Sequence, residues 1–116
     1  MKKLVLLFMV VVGLCSHSVI AQTADEEEKF DNTIEQFGYV SGKAFQCADP
    51  KQAPSIEKDT IRAFNGIARL FGTERAFFYA AAYGSGAKDN IDRSECSQYL
   101  RQFQQALEKS PLKRGE

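Results

Sequence analysis

The stretch Ala76-Phe77-Phe78-Tyr79-Ala80-Ala81-Ala82-Tyr83 is the longest uncharged apolar run outside the N-terminal segment. Gly72 precedes it and Gly84-Ser85-Gly86 follows it. Its reading decides the fold. Three consecutive alanines favour helix over strand, so the run predicts a short third helix over Glu74–Tyr83, capped by Thr73. At about 100° per residue, Phe77, Phe78 and Tyr79 fan around such a helix instead of lining one side. Tyr79 and Tyr83 share one face, and Phe77 lies roughly opposite with Ala81. On this reading Phe77 belongs to the core, while Tyr79 and Tyr83 lie nearer water. Phe78 decides whether the helix presents a contact surface.

Outward from this run, the periodicity predicts three more helices. The first, about Lys29–Cys47, places Phe30, Ile34, Phe37, Ser41, Ala44 and Phe45 at spacings of three and four, the mark of one buried stripe. Gly38 and Gly42 stand four apart beside that stripe. Each glycine in a helix interior costs about 1 kcal/mol relative to alanine, and close approach of another helix backbone is the reason expected for both. Asp49-Pro50 ends this helix. The second runs from Pro54, in its first turn, to Phe71. Ile56, Thr60, Ala63, Phe64, Ile67, Leu70 and Phe71 mark its inner face, and Gly72 is placed to end it. Gly84 to Asn90 is expected to be a flexible connection. Asp92-Arg93-Ser94-Glu95 has the form of a capping box opening a last helix, about Arg93–Lys109, which buries Cys96, Tyr99, Leu100, Phe103 and Leu107. Ser110-Pro111 stops it.

The N-terminus has a separate logic. Met1-Lys2-Lys3 precedes an apolar run from Leu4 to Cys15 of about 12 residues, too short for a bilayer-spanning helix of ~20. A basic start, a short apolar centre and the small-residue exit at Ala21 form a secretory signal over residues 1–21. Of the 116 residues, 95 then remain, with 13 basic against 15 acidic side chains. The only histidine, His17, and both methionines fall in the removed part, as does Cys15. Residues 22–28 are an acidic, flexible start, 29–109 the helical domain, and 110–116 a C-terminal tail.

Cys47 and Cys96 are the two remaining cysteines, and an oxidising destination favours pairing them. The expected fold is therefore all-α: a small four-helix bundle stapled by a Cys47–Cys96 disulfide.

The chemistry is informative mainly by subtraction. Without histidine there is no Ser-His-Asp or Cys-His arrangement and no zinc site. No Cys-x-x-Cys marks a reactive thiol pair. Gly84-Ser85-Gly86 lacks the strand and the Gly-Lys pair of a phosphate loop. Asp89, Asp92 and Glu95 do not make a calcium loop, because Ile91 and Arg93 occupy ligand positions. Asp31, Glu35 and Asp59 are unremarked helix-surface carboxylates, and Ser41 and Lys43 face apart. No cofactor, metal or enzymatic activity is expected, and near-neutral charge argues against nucleic acid.

Aromatic side chains carry the functional expectation. Tyr39, Phe78, Tyr79 and Tyr83 are the candidate partner surface, since large, rigid rings anchor protein contacts. The function expected is that of an exported, non-enzymatic protein working through protein–protein contacts or self-association, of the inhibitor, immunity or assembly-subunit type. Two other classes stand beside it. In size, export, helicity and two cysteines about fifty apart, the chain is broadly similar to small acid-stress periplasmic chaperones, with no shared motif; that similarity implies loosening in acid. A carrier would need a closed apolar cavity between the helices.

Overall fold

The computed structural model describes the backbone of residues 2–114 and the side chains of residues 23–112. The expected export signal over residues 1–21, Cys15 and His17 included, lies outside the described side chains, as do Lys113–Glu116 at the other end. Four α-helices account for the described architecture: α1 (Lys2–Cys47), α2 (Ala53–Phe71), α3 (Thr73–Lys88) and α4 (Cys96–Lys109). Short 3-10 turns at Arg93–Glu95 and Pro111–Arg114 flank α4. The chain divides into two units, residues 1–30 and 31–116.

In the first unit α1 does not begin near Lys29. The acidic residues 25–28 lie inside the helix and not at its start. Alanine, glutamate and lysine are strong helix formers, and no proline interrupts residues 21–29. Thr23 to Lys29 are exposed, and Lys29 Nζ meets Asp25 Oδ2 at 2.9 Å, one turn away.

The second unit is the helical bundle. Ala44, Ile56 and Phe103, from α1, α2 and α4, form a buried cluster. Phe37, Val40, Leu100 and Leu107 pack against it. Phe37 stands between Phe103, at 6.3 Å between ring centroids, and Tyr79, at 5.2 Å edge to face. Cys47 at the end of α1 is bonded to Cys96 at the start of α4, with Cα atoms 5.2 Å apart.

Three further features differ from the sequence expectation. α3 runs through Gly84-Ser85-Gly86 to Lys88 and does not stop at Tyr83. The connection is therefore only the short segment after it. Thr73 makes no side-chain cap; Gly72 occupies that position with φ 99° and ψ 161°, a conformation open to glycine, and separates α2 from α3. The C-terminal tail is anchored: Leu112 is buried and leans on α2 at Gly66, where a side chain would collide with Leu112 Cδ2 at 2.6 Å.

On α2, Ile56, Thr60, Ala63 and Ile67 point inward as expected, but Phe64 and Leu70 are exposed. Phe64 lies about 100° around the axis from Ala63, and Leu70 sits in the last turn of the helix. Phe45 on α1 is likewise at the surface.

Candidate functional site

The site is built on the contact between α1 and α3. Gly38 and Gly42 lie where α1 meets α3 backbone to backbone. A side chain on Gly38 would strike the carbonyl of Tyr79, and one on Gly42 would stand 2.5 Å from the nitrogen of Ala87. Gly86 returns the arrangement: a side chain there would strike the carbonyl of Tyr39. This explains why Gly84-Ser85-Gly86 continues a helix. Gly86 serves close packing, while Gly84 faces open space.

That contact sets which way α3 turns. Ala76, Tyr79 and Gly86 are buried, at the three- and seven-residue spacings of one helical stripe. Tyr79 is 1% exposed, and its hydroxyl donates to Ser41 Oγ at 2.9 Å. Ser41 Oγ in turn donates to the carbonyl of Phe37 at 2.7 Å. Burial pushes the Tyr79 phenol up to about 12, against the opposing pull of its hydrogen bonds with Ser41 and Thr60. Tyr79 therefore belongs to the core and not to a partner surface. Phe77 is the reverse: it is 67% exposed, not core. The two sit about 200° apart on the helix, so burying Tyr79 expels Phe77.

Of the remaining candidates, Phe78 is half-buried and touches Phe77 ring to ring at 6.5 Å. Tyr83 is half-buried against Phe45 at 6.3 Å, and burial first, then the charge of Glu57, raise its pKa. Tyr39 is half-buried; its hydroxyl donates to Asp89 Oδ2 at 3.1 Å. Desolvation and then that bond with Asp89 raise its pKa.

Tyr39 and Phe78 come together across the two helices. With Val40, Ala81 and Ala82 they line a groove of about 590 Å³, bordered by Glu35, Gln36 and Ser85. Glu35, Gln36, Ala81 and Ser85 are exposed, so the groove is open to water along its length. Tyr83 does not line it. Phe77 continues the apolar surface beside Phe78, and sequence reasoning misplaced it. The signal was present in the buried stripe that ends at Gly86, since small residues on facing helices mark the inward side.

Polar contacts also tie α1 to the end of α3. Lys43 is 3% exposed, and its ammonium donates to the carbonyls of Asp89 at 3.2 Å and Asn90 at 2.9 Å. Gln46 Nε2 donates to the carbonyls of Gly86 at 2.6 Å and Asp89 at 2.8 Å. A cation at the C-terminus of a helix satisfies otherwise open carbonyls and matches the helix dipole. Lys43 also lies 5.5 Å from the centre of the Tyr39 ring. Ser41 and Lys43 are thus committed to different structural tasks.

The other carboxylates are dispersed. Asp31 pairs with Arg75 at 2.7 Å and Asp59 with Arg62 at 3.4 Å. Asp92 accepts from the backbone N–H of Ser94 at 3.0 Å and from its hydroxyl at 2.8 Å. Among the described residues no three His, Cys, Asp or Glu side chains are grouped to hold a metal ion. No described helix is long and apolar enough to cross a membrane, and the disulfide matches a non-cytoplasmic environment. No protein-family model and no solved structure matches this chain.

Proposed function

We propose that this chain is an exported, non-enzymatic helical protein that acts through protein–protein contact, of the inhibitor, immunity or assembly-subunit type. Its working surface is the groove between α1 and α3 together with the exposed ring of Phe77. The observation that carries this reading is the exposure of Phe77 at 67% beside half-buried Phe78 on a rigidly packed helix. A large aromatic side chain held in water on an ordered element loses favourable burial and is a characteristic anchor at protein interfaces. Tyr39 adds a ring with a polar tip to the same groove. The place of action is the periplasm or the secreted space, after removal of residues 1–21, in keeping with the disulfide and with the sequence of the N-terminal segment.

The test is affinity capture from the native envelope with three forms of the protein. These are the unaltered chain, Phe77→Ser/Phe78→Ser, and Gln105→Ser on α4 as a remote control. A protein retained by the unaltered chain and the control, and lost with the double variant, is the expected result. Identical captures from all three would remove this surface from consideration.

A further inference from the structure

The glycines inside the helices are not all alike. Among the described residues, Gly38, Gly42, Gly66 and Gly86 each stand where a side chain would collide with a neighbouring element. Gly84, in the interior of α3, meets nothing within 4 Å. Glycine weakens a helix interior, and at Gly84 no contact within the chain offsets that cost. Gly84 lies on the side of α3 that faces away from the bundle. Glu74, Phe77, Ala81, Gly84 and Lys88 follow one another at alternating steps of three and four, the repeat of a helix-pairing seam, and all five are exposed. At about 100° per residue they lie within roughly 40° of the direction opposite Tyr79. Phe77, 67% exposed, is the one large apolar side chain among them. The exposed Ile61 and Phe64 of α2 lie near its level, because Thr60 bonds Tyr79 and Glu57 acts on Tyr83. Apolar surface therefore continues from Phe77 onto α2.

The seam is complementary to itself. Ala81 is its midpoint: Glu74 stands seven residues before it and Lys88 seven after, Phe77 four before and Gly84 three after. Among the described residues neither Glu74 nor Lys88 forms an ion pair within the chain. Turned about a two-fold axis at Ala81, a second α3 runs antiparallel to the first and sets Ala81 against Ala81. Glu74 of each copy then meets Lys88 of the other, because the two residues are separated by the same length of helix, about 21 Å, in both copies. Phe77 comes level with Gly84 to within one residue, about 1.5 Å. Its ring fills the gap that the missing side chain leaves, and Ala80 and Ala81 let the two backbones approach. An unrelated partner would need neither the matched charges nor the matched ring and gap.

We propose that the outer face of α3 binds a second copy of this chain, α3 against α3 in an antiparallel two-fold contact, with Phe77 of each copy seated over Gly84 of the other. The proposal rests on the reading of Phe77 as a contact residue and names its partner. Burial of the two rings supplies the attraction. The Glu74–Lys88 pairs are exposed and add little affinity, and they set direction and register. The contact is isologous, so it closes at two copies. One helix pair of this length covers less than a standard interface of about 1,600 Å², so the dimer is weak and its population follows protein concentration.

Sedimentation equilibrium of the purified protein tests it, with variants at exposed positions, each checked for native helicity. The average mass of the unaltered protein rises from monomer towards dimer with concentration. Phe77→Ala removes the ring and Gly84→Leu fills the gap, and each raises the dissociation constant at least about tenfold. Phe77→Ala/Gly84→Phe exchanges ring and gap and returns the constant to within about threefold of the unaltered protein. Ala81→Cys locates the axis: it cross-links to a dimer on mild oxidation, and Gln105→Cys on α4 does not. A monomer at every concentration, association indifferent to Gly84→Leu, no recovery in the exchanged variant, or equal cross-linking at both positions overturns the proposal. A monomeric chain that still captures another protein, and loses it with Phe77→Ser/Phe78→Ser, overturns this inference alone. The expected dimer with identical captures from all three forms upholds self-association and removes contact with a different protein.

Discussion

The hydroxyl of Tyr79 reaches Ser41 Oγ at 2.9 Å across the interface of α3 and α1, where neither residue is more than 1% exposed. This bond ties the orientation of α3 to the helix that carries Gly38 and Gly42. Removing it with Tyr79→Phe leaves Ser41 without its donor and destabilises the fold by about 1–2 kcal/mol. Tyr79→Ala adds a cavity and costs about 3–5 kcal/mol. Urea unfolding followed by circular dichroism measures both. Equal stability of Tyr79→Phe and the unaltered protein would show that the bond contributes nothing.

The same tyrosine makes stability depend on alkaline pH. Its phenol is raised from 10.0 to about 12 by burial, so the folded state holds its proton where the unfolded state releases it. The stabilisation is complete below pH 10 and is lost as pH rises from about 10 to about 12, on the order of 2–3 kcal/mol. Denaturant midpoints across this window, compared with Tyr79→Phe, give the measurement. A parallel pH dependence in the variant would place the effect elsewhere.

The glycines of α1 and α3 separate into two kinds. Gly42→Ala forces a methyl group against the backbone of Gly86 and Ala87, at 2.8 and 2.5 Å, and destabilises by about 1–3 kcal/mol. Gly84→Ala meets nothing within 4 Å and stabilises by about 0.5–1 kcal/mol through helix propensity. The opposite signs are read from thermal or urea midpoints. A stabilised Gly42→Ala protein would rule out the close approach.

Replacing both bridged cysteines, Cys47→Ser/Cys96→Ser, removes a link between residues 49 apart in sequence. The loss is about 2–4 kcal/mol, with helicity retained because the Ala44, Ile56 and Phe103 cluster does not depend on the bond. Thermal melts with and without reductant supply the comparison, and unchanged melting would contradict it.

At the start of α4, hydrogen bonds from the backbone and hydroxyl of Ser94 hold the Asp92 carboxyl below its ordinary 3.8. Its contribution to the cap is present above that value and is lost as pH falls through the lower folded-state value. Amide exchange at Ser94 and Glu95 is expected to accelerate over that range, and Asp92→Asn to weaken the dependence. Exchange that is flat with pH in the unaltered protein would exclude the cap as an acid-sensitive point.

Periodicity alone carried the helix count and most of the inner faces. Stripes such as Ile56, Thr60, Ala63 and Ile67 follow from the 3.6-residue repeat, which any solvent-exposed helix must respect. The spacing of Gly38 and Gly42 announced a close helix contact for the same local reason: glycine within a helix has a cost that packing must offset. Cys47 and Cys96, as the cysteines left outside the N-terminal segment, announced the staple. Ala76–Tyr83 resisted this treatment because it is apolar on every side, so no amphipathic pattern chooses which ring goes inside. The choice came from Gly38, Gly42 and Gly86, which let the backbones of α1 and α3 touch and turned the face bearing Tyr79 inward. Phe77, on the far side, was left in water, and the groove beside it exists only because two distant segments meet there.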